Sequence, residues 1–186
     1  MSQTARKFTH IAAETYLALE NDGTWRNEFV NGVVFAMAGT SDRHNLIAGS
    51  AFIKVAGSVK KPCQAFMADM KVRIKSNDEE RYYYPDVFVS CLENDRASHH
   101  RDSPRMIIEV LSASTERTDR TEKFEAYTSI STLEEYVLVS QDAVELELFR
   151  RRTGWQREHY VQDNVVKLES IGLSVSVSTF FEQVEF

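Results

Sequence analysis

The sequence predicts an α/β fold with a mixed β-sheet flanked by helices, and three patterns support this class. Asn31-Gly32 lies between two apolar runs, which indicates a type I′ turn closing a hairpin over residues 27–37. Apolar residues recur at helical spacing over residues 44–59. Residues 106–111 form a short apolar run, interrupted by one acid, of the kind found in a buried central strand. Helix and strand patterns thus alternate along the chain, which favours helices packed against a sheet.

The remaining elements follow from the same criteria, in chain order. We predict helices at residues 11–21, 118–129 and 177–186, with Thr9 capping the first and Ser41 or Asp42 capping the helix at 44–59. Strands are predicted at residues 64–74 and 82–91, then as two pairs, 135–139 with 144–151 and 155–161 with 165–168. Pro85 favours an edge or bulge position for its strand. We therefore expect one domain over residues 1–186, with an N-terminal hairpin, extra C-terminal strands and a flexible tail at 1–7.

The composition is that of an ordinary globular protein, with 42% hydrophobic and 27% charged residues among 186. No stretch approaches the roughly 20 apolar residues of a membrane span, and the N-terminus has no signal-peptide core. Cys63 and Cys91 match no zinc or redox spacing, so we predict buried free thiols in a reducing cytoplasm. The expected location is cytoplasmic, with no membrane partner.

The net charge of −6 restricts how the protein can bind nucleic acid. An acidic domain repels a phosphate backbone, whereas nucleic-acid-binding domains usually present a basic surface. Basic residues cluster at 60–61 and at 150–152, and either cluster can equally be a solvated face. A nucleic-acid site on this chain therefore has to be local, with metal ions offsetting the acidic residues.

An acid lies in each of two neighbouring predicted strands, Asp86 in the first and Glu109 in the second. Burying a carboxylate in an apolar strand is costly without a partner or a metal. If the strands are adjacent, both acids can face one side of the sheet and share Mg²⁺, with the Val110 carbonyl as a further ligand. The alternatives are that Asp86 caps a turn after Pro85 and that Glu109 pairs with an arginine such as Arg73 or Arg105.

A set of ordered motifs resembles the Uma2 (DUF820) family. The motifs are Pro85-Asp86, the stretch 109–115, then Asp119, Lys123 and Tyr127 on a helix, and the strand 135–139, while Glu28 and His44 stand where family members carry similar residues. The family is similar in fold to the PD-(D/E)XK nucleases, which use a sheet-borne acid pair, Mg²⁺ and a lysine to cut phosphodiester bonds. The resemblance therefore implies a restriction-endonuclease-like core and a Mg²⁺- or Mn²⁺-dependent endonuclease acting on DNA.

This chain departs from the nuclease pattern at Leu111, where a lysine is expected two residues after Glu109. The resemblance favours Lys123 as the substitute, and Lys71 on the preceding strand is the other candidate. In that interpretation Asp86, Glu109 and Val110 hold the metal, Lys123 polarises water or phosphate, and Glu28 and His44 assist. The alternative for Lys123 is a surface lysine that pairs with Asp119 four residues earlier.

Other features leave their roles open. Residues 112–115 can contact a phosphate through hydroxyls and amides, or simply cap the next helix. His44 can serve as a base, a metal neighbour, a DNA contact or a partly buried hydrogen-bonding residue, and Glu28 as a third acid or a surface charge. A non-catalytic binding or regulatory module on the same fold is the competing function. Edge strands and the region around Phe180-Phe181 suggest a homodimer in either case.

Overall fold

A computed structural model describes residues 10–21, 26–37, 39–76 and 79–186. The predicted tail at 1–7 and the proposed cap Thr9 lie outside these residues. The helices are α1 (Ala13–Asn21), α2 (Asp42–Ser58), α3 (Glu116–Arg120) and α4 (Glu122–Thr128). The strands are β1 (Asn27–Val30), β2 (Val33–Ala36), β3 (Gln64–Met67), β4 (Lys71–Ser76), β5 (Glu79–Tyr83), β6 (Val87–Ser90), β7 (His100–Arg101), β8 (Pro104–Leu111), β9 (Glu135–Ser140), β10 (Glu145–Arg150), β11 (Arg157–Val161), β12 (Val165–Leu168) and β13 (Leu173–Ser176).

The main sheet has six strands in the order β11-β10-β9-β8-β6-β3. β8 and β9 run parallel and the other neighbours are antiparallel, so the sheet is mixed as predicted. The apolar run predicted as a central strand is β8, and it is buried along almost its whole length. α2 covers one face of the sheet through residues such as Ile47 and Val55, whereas α4 covers the other through Ala126 and Tyr127.

A second sheet carries the predicted hairpin, in the order β2-β1-β5-β4-β7. Asn31 and Gly32 have φ values of 48° and 90°, the left-handed backbone that a type I′ turn requires, so the predicted turn is confirmed. A Cβ on Gly32 would lie 1.9 Å from the exposed His10 ring, which would have to move, so the positive φ is the main reason for glycine here. The hairpin is thereby fixed beside α1.

Two predicted strands are each divided between the two sheets, which corrects the assignments at 64–74 and 82–91. The first divides at a turn where Ala68 has a φ of 54°, giving β3 in the main sheet and β4 in the second. The second divides at Pro85, whose missing N–H ends the ladder between β5 and β6. Asp86 consequently lies in the crossing between the sheets, immediately before β6, and β6 is an interior strand.

The C-terminal part also differs from its predicted pairing. β11 pairs with β10, and β12 pairs with β13 in a separate two-stranded sheet, so the predicted pairing of 155–161 with 165–168 is wrong. Only a 3₁₀ turn at Val177–Phe180 forms where a closing helix was predicted. Phe180 and Phe181 are buried in the core, so they offer no surface for the homodimer that the sequence suggested. The predicted helix at 118–129 is present as α3 and α4, which meet at Thr121.

Cys63 and Cys91 form a disulfide, which corrects the prediction of two free thiols. Cys63 directly precedes β3, and Cys91 directly follows β6. The pairing of Gln64 with Ser90 in these two strands brings the cysteines opposite each other. Nothing in the sequence indicated this, because the strand that begins after Cys63 was expected to continue to residue 74.

Reduction of this disulfide is expected to lower the free energy of unfolding by about 3.5 kcal/mol, because the bond joins residues with a sequence separation of 28 in the unfolded chain. Urea unfolding with and without reductant measures the difference, and a protein carrying both Cys63→Ser and Cys91→Ser should not respond to reductant. Two titratable thiols in the denatured, non-reduced protein would contradict the expectation.

Within the described ranges, no helix is long and apolar enough to cross a membrane.

Candidate active site

Asp86 and Glu109 lie side by side between β6 and β8. The register pairs Val87 with Ile108, which places the two acids opposite each other one step further along. The Asp86 backbone N–H donates to Glu109 Oε2 at 3.2 Å, and the Val110 N–H donates to Asp86 Oδ2 at 2.7 Å. The structure therefore brings together the two acids that the sequence singled out, and neither is paired with Arg73 or Arg105.

Lys123 enters the same site from α4. Its ammonium nitrogen lies 3.1 Å from Glu28 Oε1, 3.2 Å from Glu109 Oε1 and 3.3 Å from Asp119 Oδ1. The residue is 5% exposed, so the alternative of a surface lysine is wrong, although the predicted contact with Asp119 does form. Lys123 thus holds three carboxylates from three different elements at one point.

Burial and crowding perturb the ionisation of this cluster. Burial raises the pKa of Glu109 well above its ordinary value, the charge of Lys123 opposes that rise, and Asp119 and Asp86 add to it. Burial likewise raises the pKa of Asp119. Burial alone would lower the pKa of Lys123, but the surrounding carboxylates outweigh it and the pKa is raised well above the usual range. The cluster places four acidic residues, Glu28, Asp86, Glu109 and Asp119, around one lysine, and a bound cation would favour their ionised forms.

Two tyrosines, Tyr127 and Tyr136, contact the acid cluster beside Lys123. The sequence did not identify them as site residues. The Tyr127 hydroxyl donates to Glu109 Oε1 at 3.1 Å, and the Tyr136 hydroxyl donates to the Asp119 carbonyl at 3.0 Å. Asp119, Lys123 and Tyr127 recur at four-residue intervals, and this spacing was the available signal that they share one face. Together they fix the ammonium and one oxygen of Glu109.

His44 approaches the acid pair from the opposite side, in the first turn of α2. The helix begins after Ser41, whose hydroxyl accepts a hydrogen bond from the His44 N–H at 3.1 Å, so Ser41 is the cap among the two predicted. His44 Nε2 lies 3.4 Å from Asp86 Oδ2. Burial would lower the pKa of His44, but its hydrogen bond to Asp86, the charge of Asp86 and a contact with the Val110 backbone raise it overall.

Glu28 reaches the site from β1 of the second sheet. Besides contacting Lys123, its Oε1 accepts from the Tyr84 N–H at 3.4 Å. The alternative of a strand-end surface charge is therefore wrong, because the carboxylate points inward at the junction of the two sheets.

Lys71 lies apart from the acid cluster. It is 4% exposed, and its ammonium sits 4.9 Å from the centre of the Tyr84 ring. Burial lowers its pKa, with partial compensation from Glu20 and Asp69. Of the two lysines considered in place of the one missing at Leu111, Lys123 is the one that contacts Glu109.

The loop after β8 bonds mainly within itself. The Ser112 hydroxyl lies 3.0 Å from those of both Ser114 and Thr115. Thr115 precedes α3 without capping it through its side chain. Side-chain capping of α3 by Thr115 does not form, whereas contact of this loop with a phosphate stays a prediction.

The donor set suits a hard divalent cation. In the described parts of the chain, no three His, Cys, Asp or Glu side chains converge as metal ligands. The protein contributes the carboxylates of Asp86 and Glu109, and the Val110 backbone lies within hydrogen-bonding reach of His44 beside them. Mg²⁺ is often held by only one or two carboxylates and completes its octahedron with water or substrate oxygens. The residues therefore fit Mg²⁺ or Mn²⁺ as a partly solvated ion rather than one enclosed by protein ligands.

A mixed sheet with an acid pair at its centre, a neighbouring lysine and helices on both faces defines the restriction-endonuclease-like class of α/β proteins. A crystal structure from Anabaena variabilis, described as a putative nuclease belonging to DUF820, superimposes with a TM-score of 0.68 over 84% of this chain and 89% of that chain, at 18% identity. The family model Uma2, described as "Putative restriction endonuclease", matches residues 13–178. The chain belongs to the Uma2 family.

Two proteins of Synechocystis sp., both described as uncharacterized, are similar to it in sequence. The first, slr1290, is 31% identical over 183 residues, covering 96% of this chain and 95% of its own length. The second, sll1609, is 30% identical over 145 residues, covering 76% of this chain and 81% of its own.

Proposed function

We propose that the protein is a Mg²⁺- or Mn²⁺-dependent endonuclease that hydrolyses phosphodiester bonds in DNA. The observation that supports it most is the direct contact of Asp86 with Glu109, with Lys123 on the second oxygen of Glu109. Family membership and the likeness to a nuclease structure support the same class of activity.

The contacts of each residue indicate its role in the proposed reaction. Asp86 and Glu109 would hold the cation, which would lower the pKa of a bound water and offset charge on the phosphate. His44 holds the Asp86 carboxylate in place from α2, as a hydrogen-bonded partner of a metal ligand does. Lys123 provides, next to Glu109, the positive charge that Leu111 lacks. Glu28 holds the Lys123 ammonium from the second sheet.

DNA as the substrate requires the local charge to differ from the overall charge of −6. A cation held by Asp86 and Glu109 would supply positive charge where the phosphate reacts, so the rest of the surface need not be basic for hydrolysis. A homodimer would provide two such sites, one for each strand of a duplex.

A non-catalytic binding module is the second candidate, and one observation favours it. Three carboxylates surround the Lys123 ammonium at 3.1–3.3 Å, an arrangement that also serves as a buried ion pair holding elements together. In this case the acid cluster stabilises the fold and the chain binds its partner elsewhere.

Calorimetric titration of Mn²⁺ and Mg²⁺ into the purified protein tests the proposal first. The wild type is expected to bind either ion, and Asp86→Asn and Glu109→Gln are each expected to abolish binding. Glu147→Gln is the matched control, since this acid is also buried in the main sheet but pairs with Arg120 and Arg157 rather than with Lys123.

Nicking of supercoiled plasmid in the presence of Mn²⁺ then tests the activity. Cleavage by the wild type and by the Glu147 variant, but not by the two site variants, is the expected result. Metal binding without cleavage of any DNA substrate favours the binding module, and equal cleavage by all four proteins would overturn the site assignment.

A further inference from the structure

The outward face of α2 carries apolar residues where a surface helix normally carries charges. Leu46 and Ile53 are exposed on it, Ile53 to 62%. Gly49 and Gly57 lie on the same stripe, and a Cβ built on either would meet nothing within 4 Å. The opposite face of α2 is buried against the main sheet. A helix that is apolar on both faces usually has a partner on its second face.

The outward stripe is complementary to itself when two copies of α2 run antiparallel. With the crossing point at residue 51, Ile53 of each copy faces Gly49 of the other, and Leu46 faces Ala56. Each isoleucine then fills the notch that the partner's glycine leaves, which lets the helix axes approach closely. A twofold interface requires this reciprocity, in which residue i contacts residue j and j contacts i.

The charges at the ends of the stripe are complementary in the same register. Asp42 is the first residue of α2, and Lys60 lies two residues beyond its last one. Both are exposed, and neither makes an ion pair with another residue that the structure describes. Antiparallel pairing brings the start of each α2 beside the end of the other, so Asp42 of each copy and Lys60 of the other lie at the same end of the interface. At a crossing angle of about 20° the helix ends stay close enough for these charges to interact.

We propose that the outward face of α2 is a homodimer interface, formed by antiparallel pairing with a second copy of this chain. The charge complementarity between Asp42 and Lys60 selects a second copy as the occupant. The same helix carries His44 at its buried start, so pairing would fix the spacing between two acid sites. The interface does not depend on the proposed nuclease activity. A dimer without nuclease activity would support the interface alone, and nuclease activity without a dimer would support the active site alone.

Sedimentation velocity over a wide range of concentrations tests the interface with the full chain. The wild type is expected to change from monomer to dimer as its concentration rises. Gly49→Leu fills the notch at a position where a Cβ meets nothing within 4 Å in the monomer, and Ile53→Lys puts a charge into the partner's notch. Each should raise the dissociation constant at least about tenfold while leaving the melting temperature of the monomer unchanged or higher. Val165→Lys is the matched control, since Val165 is 64% exposed on another face, and it should leave the dimer intact.

A charge exchange distinguishes this register from any other use of the helix. Asp42→Lys and Lys60→Glu should each weaken the dimer, because like charges then face each other across the axis. The protein carrying both changes should recover the affinity of the wild type. A wild type that stays monomeric at every concentration would overturn the interface, as would a dimer that is unaffected by the Gly49 and Ile53 changes or a charge exchange without recovery.

Discussion

Replacing Glu109 with glutamine is expected to abolish metal binding while changing the stability of the metal-free fold very little. In the wild type, a divalent cation at 100 times its dissociation constant should add about 2.7 kcal/mol to the free energy of unfolding, since it binds the folded chain alone. The glutamine lacks the charge that holds the ion, so this increase should disappear. Without metal, the two proteins should differ by no more than about 1 kcal/mol, because glutamine avoids the cost of burying a carboxylate and the repulsion from Asp119 and Asp86, which offsets the weakened contact with Lys123. Metal-dependent hydrolysis should fall by about 10³-fold.

Thermal unfolding with and without Mn²⁺ measures the first effect, and single-turnover cleavage of a labelled duplex measures the second. Glu147→Gln again serves as the control and should keep the full response to Mn²⁺. A Glu109 variant that is still stabilised by Mn²⁺ as strongly as the wild type would show that the ion binds at another place.

Replacing Lys123 with methionine is expected to cost about 3–5 kcal/mol of stability at neutral pH, because it leaves buried carboxylates without their cation. Glu28, Glu109 and Asp119 all lose a contact of 3.1–3.3 Å. Lys71→Met is the matched control, since both lysines are almost fully buried, but Lys71 rests on the Tyr84 ring and makes no ion pair with a described residue. Its removal should cost less than about 1 kcal/mol, because no buried charge is left without a partner.

The pH dependence of the Lys123 effect has a definite sign. Burial raises the pKa of Glu109 and Asp119 in the folded chain above their ordinary values. As the pH rises past those ordinary values, the unfolded chain loses these protons before the folded chain does, so the free energy of unfolding falls. Without Lys123 this fall is larger, so the methionine protein should lose stability relative to the wild type as the pH rises from 4 to 8. Urea unfolding at several pH values measures this trend. A difference that is constant over the range would show that the carboxylates do not depend on Lys123.

The acid pair could be predicted from the sequence because its position depends on the pairing of strands that lie close together in the chain. Asp86 directly precedes β6 and Glu109 lies in β8, and strands that follow each other closely in the chain are usually neighbours in a sheet. Lys123 could be assigned to the same place from the resemblance and from the length of its side chain. The hairpin was predictable for the same reason, since Asn31-Gly32 determines its own backbone conformation.

Division of strands between two sheets was not predictable in the same way. Ala68 adopts a left-handed backbone at the turn from β3 to β4, and alanine gives no signal of this in a sequence. Without that turn, nothing indicates that Cys63 and Cys91 meet, or that Glu28 faces Lys123. These contacts depend on tertiary packing rather than on local pattern.

Glu135 shows why a buried acid in a strand does not by itself identify a site. It lies in an apolar run of β9 much as Glu109 lies in β8. Its carboxylate pairs with buried Arg150 and accepts hydrogen bonds from the Ser170 and Glu169 N–H groups, so its partners are structural. The two acids look alike in the sequence, and only their surroundings distinguish them.

The contact of Lys123 with both Glu28 and Glu109 has a consequence for local opening of the fold. Glu28 belongs to the hairpin sheet and Glu109 to the main sheet, so the ammonium joins two parts that could otherwise open separately. Elements joined in this way exchange their amide hydrogens as one cooperative unit. Amide exchange in β1 should therefore follow the state of the acid cluster, and a ligand that draws Lys123 away from Glu28 would loosen the hairpin while leaving β8 protected.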